Sequence, residues 1–187
     1  MRIIAGQYRS RPLRSLPELD LRPTSDRLRE TLFNVLGPAV KDSLFVDLYA
    51  GTGAIGIEAI SRGAKEVVLV EEHAASARLI QENLKALGAT GTAQVMAMAA
   101  AKALEKLAAH HRMADFIFLD PPYVDQEEQL LVLELIDESH LLAPQGLVIV
   151  EHSSKTELPE RFTRLERTRV VEQGDAALSF YCLAAAA

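Results

Sequence analysis

The sequence predicts an α/β protein built on a mostly parallel sheet. From about residue 44 onward, short apolar runs of strand length alternate with segments of helical spacing, as in chains of βαβ units. The strand runs are almost continuously apolar, which is expected of strands covered on both faces. Near the carboxyl end, two β-prone runs flank Gln173-Gly174-Asp175 and predict an antiparallel hairpin. The 187 residues suit one such fold with a small extension.

Seven strands and three helices follow from this pattern. The predicted strands are Leu44–Tyr49, Val67–Glu71, Gln94–Met98, Phe116–Leu119, Leu147–Glu151, Phe162–Val171 and Ala176–Leu183. The predicted helices between them are Ile55–Arg62, Ala74–Leu87 and Ala99–His110. Apolar residues recur at helical intervals in the second of these, and Gly88 follows as its stop.

The first forty residues predict a separate extension. Residues 1–14 alternate loosely around Gly6, which favours a small β-hairpin. Thr24 or Ser25 could cap a following helix, which Gly37-Pro38 would end. We therefore divide the chain into an extension of residues 1–40 and a main α/β domain of residues 41–187.

Charge is distributed unevenly along the chain. Residues 1–29 contain seven arginines and three acidic residues, so their net charge is +4. Because the whole chain has a net charge of −6, the remaining residues carry a net charge of −10. This asymmetry indicates a basic segment on an acidic body, and arginine suits phosphate and stacks on bases. The pattern favours a nucleic-acid partner, although a merely solvated basic surface fits it equally well.

Composition excludes several classes of protein. One cysteine cannot form a disulfide framework, and no apolar run is long enough to span a bilayer. The five histidines lack metal-ligand spacing. We therefore expect a cytoplasmic protein without a metal site or membrane contact, and a monomer by default.

A glycine-rich turn predicts a nucleotide site. Gly51-Thr52-Gly53-Ala54-Ile55-Gly56 joins the first strand to its helix, where glycine lets the backbone approach a ligand. Asp47 precedes it at the strand end, and Glu71 ends the next strand, where a carboxylate could accept bonds from ribose hydroxyls. An acid beside the helix amino terminus would repel a pyrophosphate, so a cationic ligand is favoured over NAD, which remains the alternative.

The tetrapeptide Asp120-Pro121-Pro122-Tyr123 follows the strand Phe116–Leu119. It therefore lies at the carboxyl end of the sheet, where open α/β folds bind ligands. Two prolines fix an extended backbone and remove two amide donors. A rigid turn without function is the weaker interpretation.

Both motifs resemble those of known enzymes. The string from Asp47 to Gly53 resembles the first motif of Rossmann-like methyltransferases that use S-adenosyl-L-methionine, in which this acid lies near the cofactor's methionyl portion. Asp120-Pro121-Pro122-Tyr123 resembles their D/N-P-P-Y/F signature for methylating amino groups conjugated to a planar system. That likeness implies a class I methyltransferase fold with a mostly parallel seven-stranded sheet.

The amino-terminal segments narrow the resemblance to one family. Residues 2–9 read RIIAGQYR and residues 21–34 read LRPTSDRLRETLFN, and the glycine loop continues through Glu58, Ala59, Ser61 and Arg62. These segments look like the bacterial RsmD family, which methylates N2 of one guanine in 16S rRNA. The likeness covers residues 2–36 and 44–72, resumes around 115–123, and implies an rRNA substrate within an assembling small subunit.

Roles for individual residues follow from these motifs. The candidate catalytic residues are Asp120, Pro121, Pro122 and Tyr123: the Asp120 carboxylate and Pro121 carbonyl would hold the amino hydrogens, and Tyr123 would stack on the base. The candidate cofactor-binding residues are Asp47, Tyr49, Ala50, Gly51, Thr52, Gly53, Gly56, Glu71, Glu72, Ala99 and Asp120. The candidate RNA-binding residues are Arg2, Arg9, Arg11, Arg14, Arg22, Thr24 and Arg27, of which Arg22, Thr24 and Arg27 could instead close over the cofactor or base.

Two other functions share these features. An N6-adenine or other amino methyltransferase would use the same tetrapeptide, although no large target-recognition region is present for DNA. A noncatalytic rRNA-binding assembly factor could keep the fold, but it would not need the acid, the glycine loop and the tetrapeptide together. No acidic or amide side chain follows the third strand, where Ala97, Ala99 and Ala100 stand. The cofactor's adenine would therefore be held by backbone groups and apolar packing.

Overall fold

A computed structural model describes residues 1–15, 24–121 and 126–185 of the chain. These residues form two compact units, Met1–Ala99 and Ala100–Ala187. Within the described residues there are five α-helices and seven strands, and the strands form a mixed seven-stranded sheet, which confirms the predicted α/β fold class. Among these residues, no helix is long and apolar enough to cross a membrane.

The first unit alternates helices and parallel strands. Its helices are α1 (Asp26–Leu36), α2 (Ala54–Ser61) and α3 (Ala74–Leu87), with a 3-10 turn over Gly37–Val40. Its strands are β1 (Leu44–Asp47), β2 (Glu66–Val70) and β3 (Ala93–Met96), ordered β3-β2-β1 and all parallel. Val67, Val68 and Leu69 are completely buried, as expected of a central strand between helices.

The predicted α1 has its expected ends. The Ser25 hydroxyl accepts a hydrogen bond from the Leu28 amide at 3.1 Å, so Ser25 rather than Thr24 caps the helix. Gly37 ends it with a φ of 56°. Before α1, residues 1–15 form what we call the N-terminal arm. Its predicted antiparallel pairing is limited to one bridge between Arg2 and Pro12, without regular strands.

The second unit combines parallel and antiparallel pairing. Its helices are α4 (Ala100–Ala109) and α5 (Gln126–Ser139). Its strands are β4 (Ala114–Leu119), β5 (Leu142–Ser153), β6 (Leu165–Gln173) and β7 (Ala176–Leu183), ordered β4-β5-β7-β6. Strands β4 and β5 are parallel, whereas β7 pairs antiparallel with both β5 and β6, which confirms the predicted carboxyl-terminal hairpin.

Three elements of this unit differ clearly from expectation. Strand β6 begins at Leu165, three residues after the predicted Phe162. The sequence pattern predicts no helix over Gln126–Ser139, where α5 lies with Val132, Leu133 and Ile136 buried. Strand β5 begins at Leu142, five residues before the predicted Leu147. The early start includes exposed Pro144 and Gln145 and a register shift against β4, and irregular pairing of this kind carries no alternating apolar pattern.

Candidate functional site

The glycine loop between β1 and α2 depends on its glycines. Gly51 and Gly53 have φ angles of 53° and 81°, in the region that side chains disfavour. A Cβ on Gly53 would also lie 3.1 Å from the Ile57 side chain and 3.3 Å from that of Ile80. The loop is therefore a tight left-handed turn packed against α3.

Gly56 serves packing within the fold. A Cβ at this buried position of α2 would lie 2.7 Å from a methyl carbon of Leu69 in β2. Its absence lets the helix lie directly on the strand, which is the third glycine's usual task in such a turn. The Gly56 amide donates to Asp47 Oδ2 at 3.0 Å. A direct contact of Gly56 with the cofactor stays a prediction.

Asp47, at the end of β1, is a buried acid with a raised pKa. It is 1% exposed, and while Oδ2 accepts the Gly56 amide, Oδ1 is buried without a hydrogen-bond partner. Burial, supplemented by the negative charge of Glu71, raises the pKa of Asp47 to about 7. A buried carboxylate oxygen that accepts no hydrogen bond, beside a glycine-rich loop, is suited to binding a hydrogen-bond donor or a positively charged group of a ligand.

Glu71 lies one residue beyond β2 and holds the loop from the other side. Its Oε2 accepts the Gly51 amide at 2.8 Å, and its Oε1 accepts the His73 amide at 2.8 Å. Each oxygen can accept one further bond. The neighbouring Glu72 is exposed, and Ala99, beyond β3, is half-buried. Glu71, the residue predicted to bind the ribose, is therefore fixed by a hydrogen bond from the same glycine-rich turn that Asp47 contacts.

The other predicted cofactor residues lie along the same turn. Tyr49 and Gly51 are half-buried, whereas Ala50 and Thr52 are buried. The Thr52 hydroxyl donates to the sulfur of Met1 at 3.6 Å, so the loop contacts the first residue of the N-terminal arm.

In the second unit, Asp120 and Pro121 directly follow β4. Asp120 is half-buried and Pro121 is buried. Both therefore lie at the carboxyl end of that strand, as the sequence predicts. The two remaining residues of the tetrapeptide, Pro122 and Tyr123, lie outside the described residues, as does the candidate Arg22.

The arginines predicted to bind RNA are exposed where the structure describes them. Arg2, Arg9, Arg11, Arg14 and Arg27 are all exposed, and Thr24 is half-buried. Arg11 donates to the Ala86 carbonyl at 3.1 Å, and Arg14 forms an exposed ion pair with Glu82 at 3.1 Å.

One arginine of the basic segment does not belong to this surface. Arg29 is completely buried, and its Nη2 donates to the Arg2 carbonyl at 2.9 Å and to Asp26 Oδ1 at 2.6 Å. Arg29 contributes to the charge count of the basic segment but is not among the candidate RNA-binding residues. It lies on the apolar face of α1 beside Leu28, Leu32 and Phe33, which the charge count did not consider.

The N-terminal arm is fixed to α2 by contacts that the sequence analysis missed. The completely buried Glu58 accepts the amides of Ile4 and Ala5 at 2.8 and 2.9 Å and the Arg62 Nε at 2.8 Å. A single acid inside the otherwise apolar run AIGIEAIS was the signal that could have found it. Because α2 begins at the glycine loop, the arm and the loop share one support.

Ser61 and Gly6 complete this attachment. The Ser61 hydroxyl donates to the Ala5 carbonyl and accepts the Tyr8 amide at 3.0 Å, while the Ser61 carbonyl accepts the Gln7 amide at 2.8 Å. A Cβ at Gly6 would lie 1.8 Å from the Ser61 carbonyl oxygen, and its φ is 82°. The arm can follow this path only because residue 6 has no side chain.

No group of three or more histidine, cysteine or acidic side chains among the described residues is arranged to hold a metal ion. The two acids beside the glycine loop are Asp47 and Glu71, which accept the amides of Gly56 in α2 and of Gly51 in the loop.

Comparison with known proteins covers nearly the whole chain. The model of the family described as Conserved hypothetical protein 95 matches residues 1–182. YlbH of Bacillus subtilis (strain 168) is 37% identical over 97% of this chain and 98% of its own length. The protein named Ribosomal RNA small subunit methyltransferase D of Escherichia coli (strain K12) is 38% identical over 85% of this chain and 78% of its own.

Solved structures agree with these relatives. YhhF from Escherichia coli superimposes with a TM-score of 0.86 at 31% identity, covering 97% of this chain and 96% of its own. SMU.776, whose structure was solved as a complex with SAH, has a TM-score of 0.60 at 15% identity, covering 83% of this chain and 49% of its own. At that identity the second likeness concerns the fold alone.

Proposed function

Because this chain belongs to the RsmD family of ribosomal RNA small subunit methyltransferases, we propose that it transfers a methyl group from S-adenosyl-L-methionine to the exocyclic N2 of one guanine in 16S rRNA. The guanine is of the position-966 type, and the modification belongs to small-subunit assembly. The observation that carries this proposal is the acid-supported glycine loop, in which Asp47 retains a buried acceptor atom without a partner.

The residues of this loop fit S-adenosyl-L-methionine better than a dinucleotide. A sulfonium and an ammonium group are attracted by carboxylates, whereas a pyrophosphate beside Asp47 and Glu71 would be repelled. Glu71 has one free acceptor position on each oxygen for ribose hydroxyls, after its bonds to Gly51 and His73. Half-buried Ala99 supplies an apolar contact without a polar side chain for the adenine.

When bound, the cofactor supplies an activated methyl group, so the protein mainly orients and stabilises. A guanine N2 lone pair is delocalised into the ring and is a poor nucleophile. The Asp120 carboxylate and the Pro121 carbonyl would accept the two amino hydrogens, which favours a pyramidal nitrogen with its lone pair free to react. Tyr123 would stack on the base, a contact worth about 1–3 kcal/mol, and the base must be unpaired or flipped to reach it.

Substitution of Asp120 tests this chemistry. We expect Asp120→Ala to lower kcat at least about a hundredfold, by analogy with the removal of one preorganised polar group in other active sites. The dissociation constant of S-adenosylhomocysteine should change little. Asp120→Asn keeps one acceptor and should retain part of the activity, and wild-type turnover by Asp120→Ala would overturn the assigned role.

The substrate is identified by labelling. The protein is incubated with methyl-labelled S-adenosyl-L-methionine and either naked 16S rRNA or small subunits lacking the modification, and the labelled nucleotide is mapped. Label on N2 of a single guanine supports the proposal and shows which substrate is used. Label on adenine N6, or no label in either substrate, contradicts it.

A further inference from the structure

The N-terminal arm and the glycine loop contact the same face of α3. Ile80, on this face, lies against Gly53, so closely that a Cβ there would be only 3.3 Å from it. Asn83, three residues later and therefore on the same side of the helix, is 2% exposed. This face of α3 thus supports the cofactor loop at one point and the arm at the next.

Asn83 joins the two segments through main-chain atoms. Its Nδ2 donates to the Thr52 carbonyl in the glycine loop and to the Arg14 carbonyl in the arm, both at 3.2 Å. Its Oδ1 accepts the Arg14 amide at 2.9 Å. The Arg14 amide can only donate and the Thr52 carbonyl can only accept, so these bonds permit one orientation of the side-chain amide.

The side chain of Arg14 has a weaker attachment than its main chain. Its ion pair with Glu82 joins two side chains that are 70% and 58% exposed, and such pairs contribute little to stability. An RNA phosphate can therefore replace Glu82 while the Arg14 backbone stays bound to Asn83. RNA bound to the arm would then limit the movement of Asn83, whose side chain also donates a hydrogen bond to the Thr52 carbonyl.

We propose that Asn83 is a positioning residue that couples RNA binding by the N-terminal arm to cofactor binding by the glycine loop. The inference rests on the proposed function, because the arm and the loop are its RNA and cofactor sites. A loop ordered by RNA binds the cofactor more tightly, and a loop ordered by the cofactor binds RNA more tightly, by the same factor.

The coupling is measured with S-adenosylhomocysteine, which binds without reacting. Its dissociation constant for the full chain is determined with and without saturating RNA, in the form that the wild type methylates. We expect RNA to tighten binding to the wild type at least about fivefold. In Asn83→Ala the ratio of the dissociation constant without RNA to that with RNA should fall to about one. The KM values for cofactor and RNA should rise together while kcat at saturation stays within about twofold.

Gln81→Ala is the matched control, because it removes an exposed side-chain amide from the same helix. A merely structural role of Asn83 would lower the melting temperature and the active fraction but leave the ratio as in the wild type. That result, or a wild-type ratio of one, overturns the proposal.

A second pair of variants tests the same bond from the arm. Arg14→Pro removes the amide hydrogen that Asn83 accepts, whereas Arg14→Ala removes the same side chain and keeps that amide. We expect the ratio to be lost in Arg14→Pro and largely retained in Arg14→Ala, because Arg2, Arg9 and Arg11 remain exposed to hold RNA on the arm in both variants. Equal ratios in the two contradict the proposal even if Asn83→Ala does not fold.

Failure of this inference is distinguishable from failure of the proposed function. A wild-type protein that binds no S-adenosylhomocysteine and methylates no RNA contradicts the function itself. A wild type that does both, with unchanged coupling in Asn83→Ala and Arg14→Pro, contradicts only the role of Asn83.

Discussion

Two segments near the ends of the chain are held in the same way but in different settings. In the first unit, Glu58 of α2 accepts two arm amides. In the second, Asp137 of α5 accepts the amides of Thr163, Arg164 and Leu165 at 3.1, 2.7 and 2.7 Å. Glu58 lies on the helix that begins at the glycine loop, whereas Asp137 fixes the entry to the edge strand β6. The same chemical device therefore supports a candidate site in one unit and only packing in the other.

The largest expected effect is the loss of stability in Asp137→Ala. Three amides lose a charged acceptor that is 5% exposed, so we expect the free energy of unfolding to fall by about 3–5 kcal/mol. Urea denaturation measures this, and Glu138→Ala, at an exposed neighbour, should change it by no more than about 0.5 kcal/mol. The affinity for S-adenosylhomocysteine should be retained, and a large loss of affinity in folded protein would remove the contrast with Glu58.

Glu58→Ala should be less destabilising but functionally more severe. Two arm amides and Arg62 lose their acceptor, and we expect the free energy of unfolding to fall by about 3 kcal/mol. Because the arm would detach from α2, the KM for RNA should rise several-fold in the remaining folded protein. If both Glu58→Ala and Asp137→Ala lowered stability but left the KM for RNA unchanged, the attachment of the arm to α2 would not contribute to RNA binding.

Burial of Asp47 gives the stability of the protein a pH dependence. An acid with a raised pKa binds its proton more tightly in the folded than in the unfolded state, so stability falls as pH rises from about 4 to about 7 and is level above. We expect the free energy of unfolding of Asp47→Asn not to show this fall with rising pH, because asparagine does not titrate. Relative to the variant, the wild type should lose about 2 kcal/mol between pH 5 and pH 7.5, measured by urea denaturation. A pH-independent difference would show that Asp47 titrates normally.

The smallest expected effects concern the exposed arginines of the arm. Arg9→Ala with Arg11→Ala should raise the KM for RNA several-fold and reduce the salt dependence of binding, since each lost phosphate contact lowers the logarithmic slope by about 0.7–0.9. The melting temperature should barely change, because both side chains are exposed. An unchanged KM and slope would mean that this part of the arm does not bind RNA.

Sequence reasoning predicted elements best where local signals and burial agreed. Helix α3 begins and ends where its periodicity and Gly88 indicated, and β7 likewise matches its prediction. Helix α5 was missed because its apolar residues are spread around the helix, and Leu131 is 51% exposed. The end of β1 was predicted two residues too late and that of β2 one residue too late, since pairing stops at Asp47 in β1, although the apolar run continues there, and at Val70 in β2.

For the candidate site, the sequence indicated the carboxylates but not their attachments. The motif places Asp47 and Glu71 near the glycine loop, yet only the structure shows their bonds to the amides of Gly56 and Gly51. Asn83 carries no motif, because its partners are main-chain atoms 31 and 69 residues away. Contacts of a side chain with a distant backbone leave no pattern in one sequence.

The fit between Gly6 and Ser61 has a practical consequence. Since even one carbon atom at position 6 would collide with a carbonyl oxygen, a single added methyl group must move the arm away from Ser61 without shortening the chain. Alanine at that position thus weakens one attachment of the arm while leaving every other side chain of the protein unaltered.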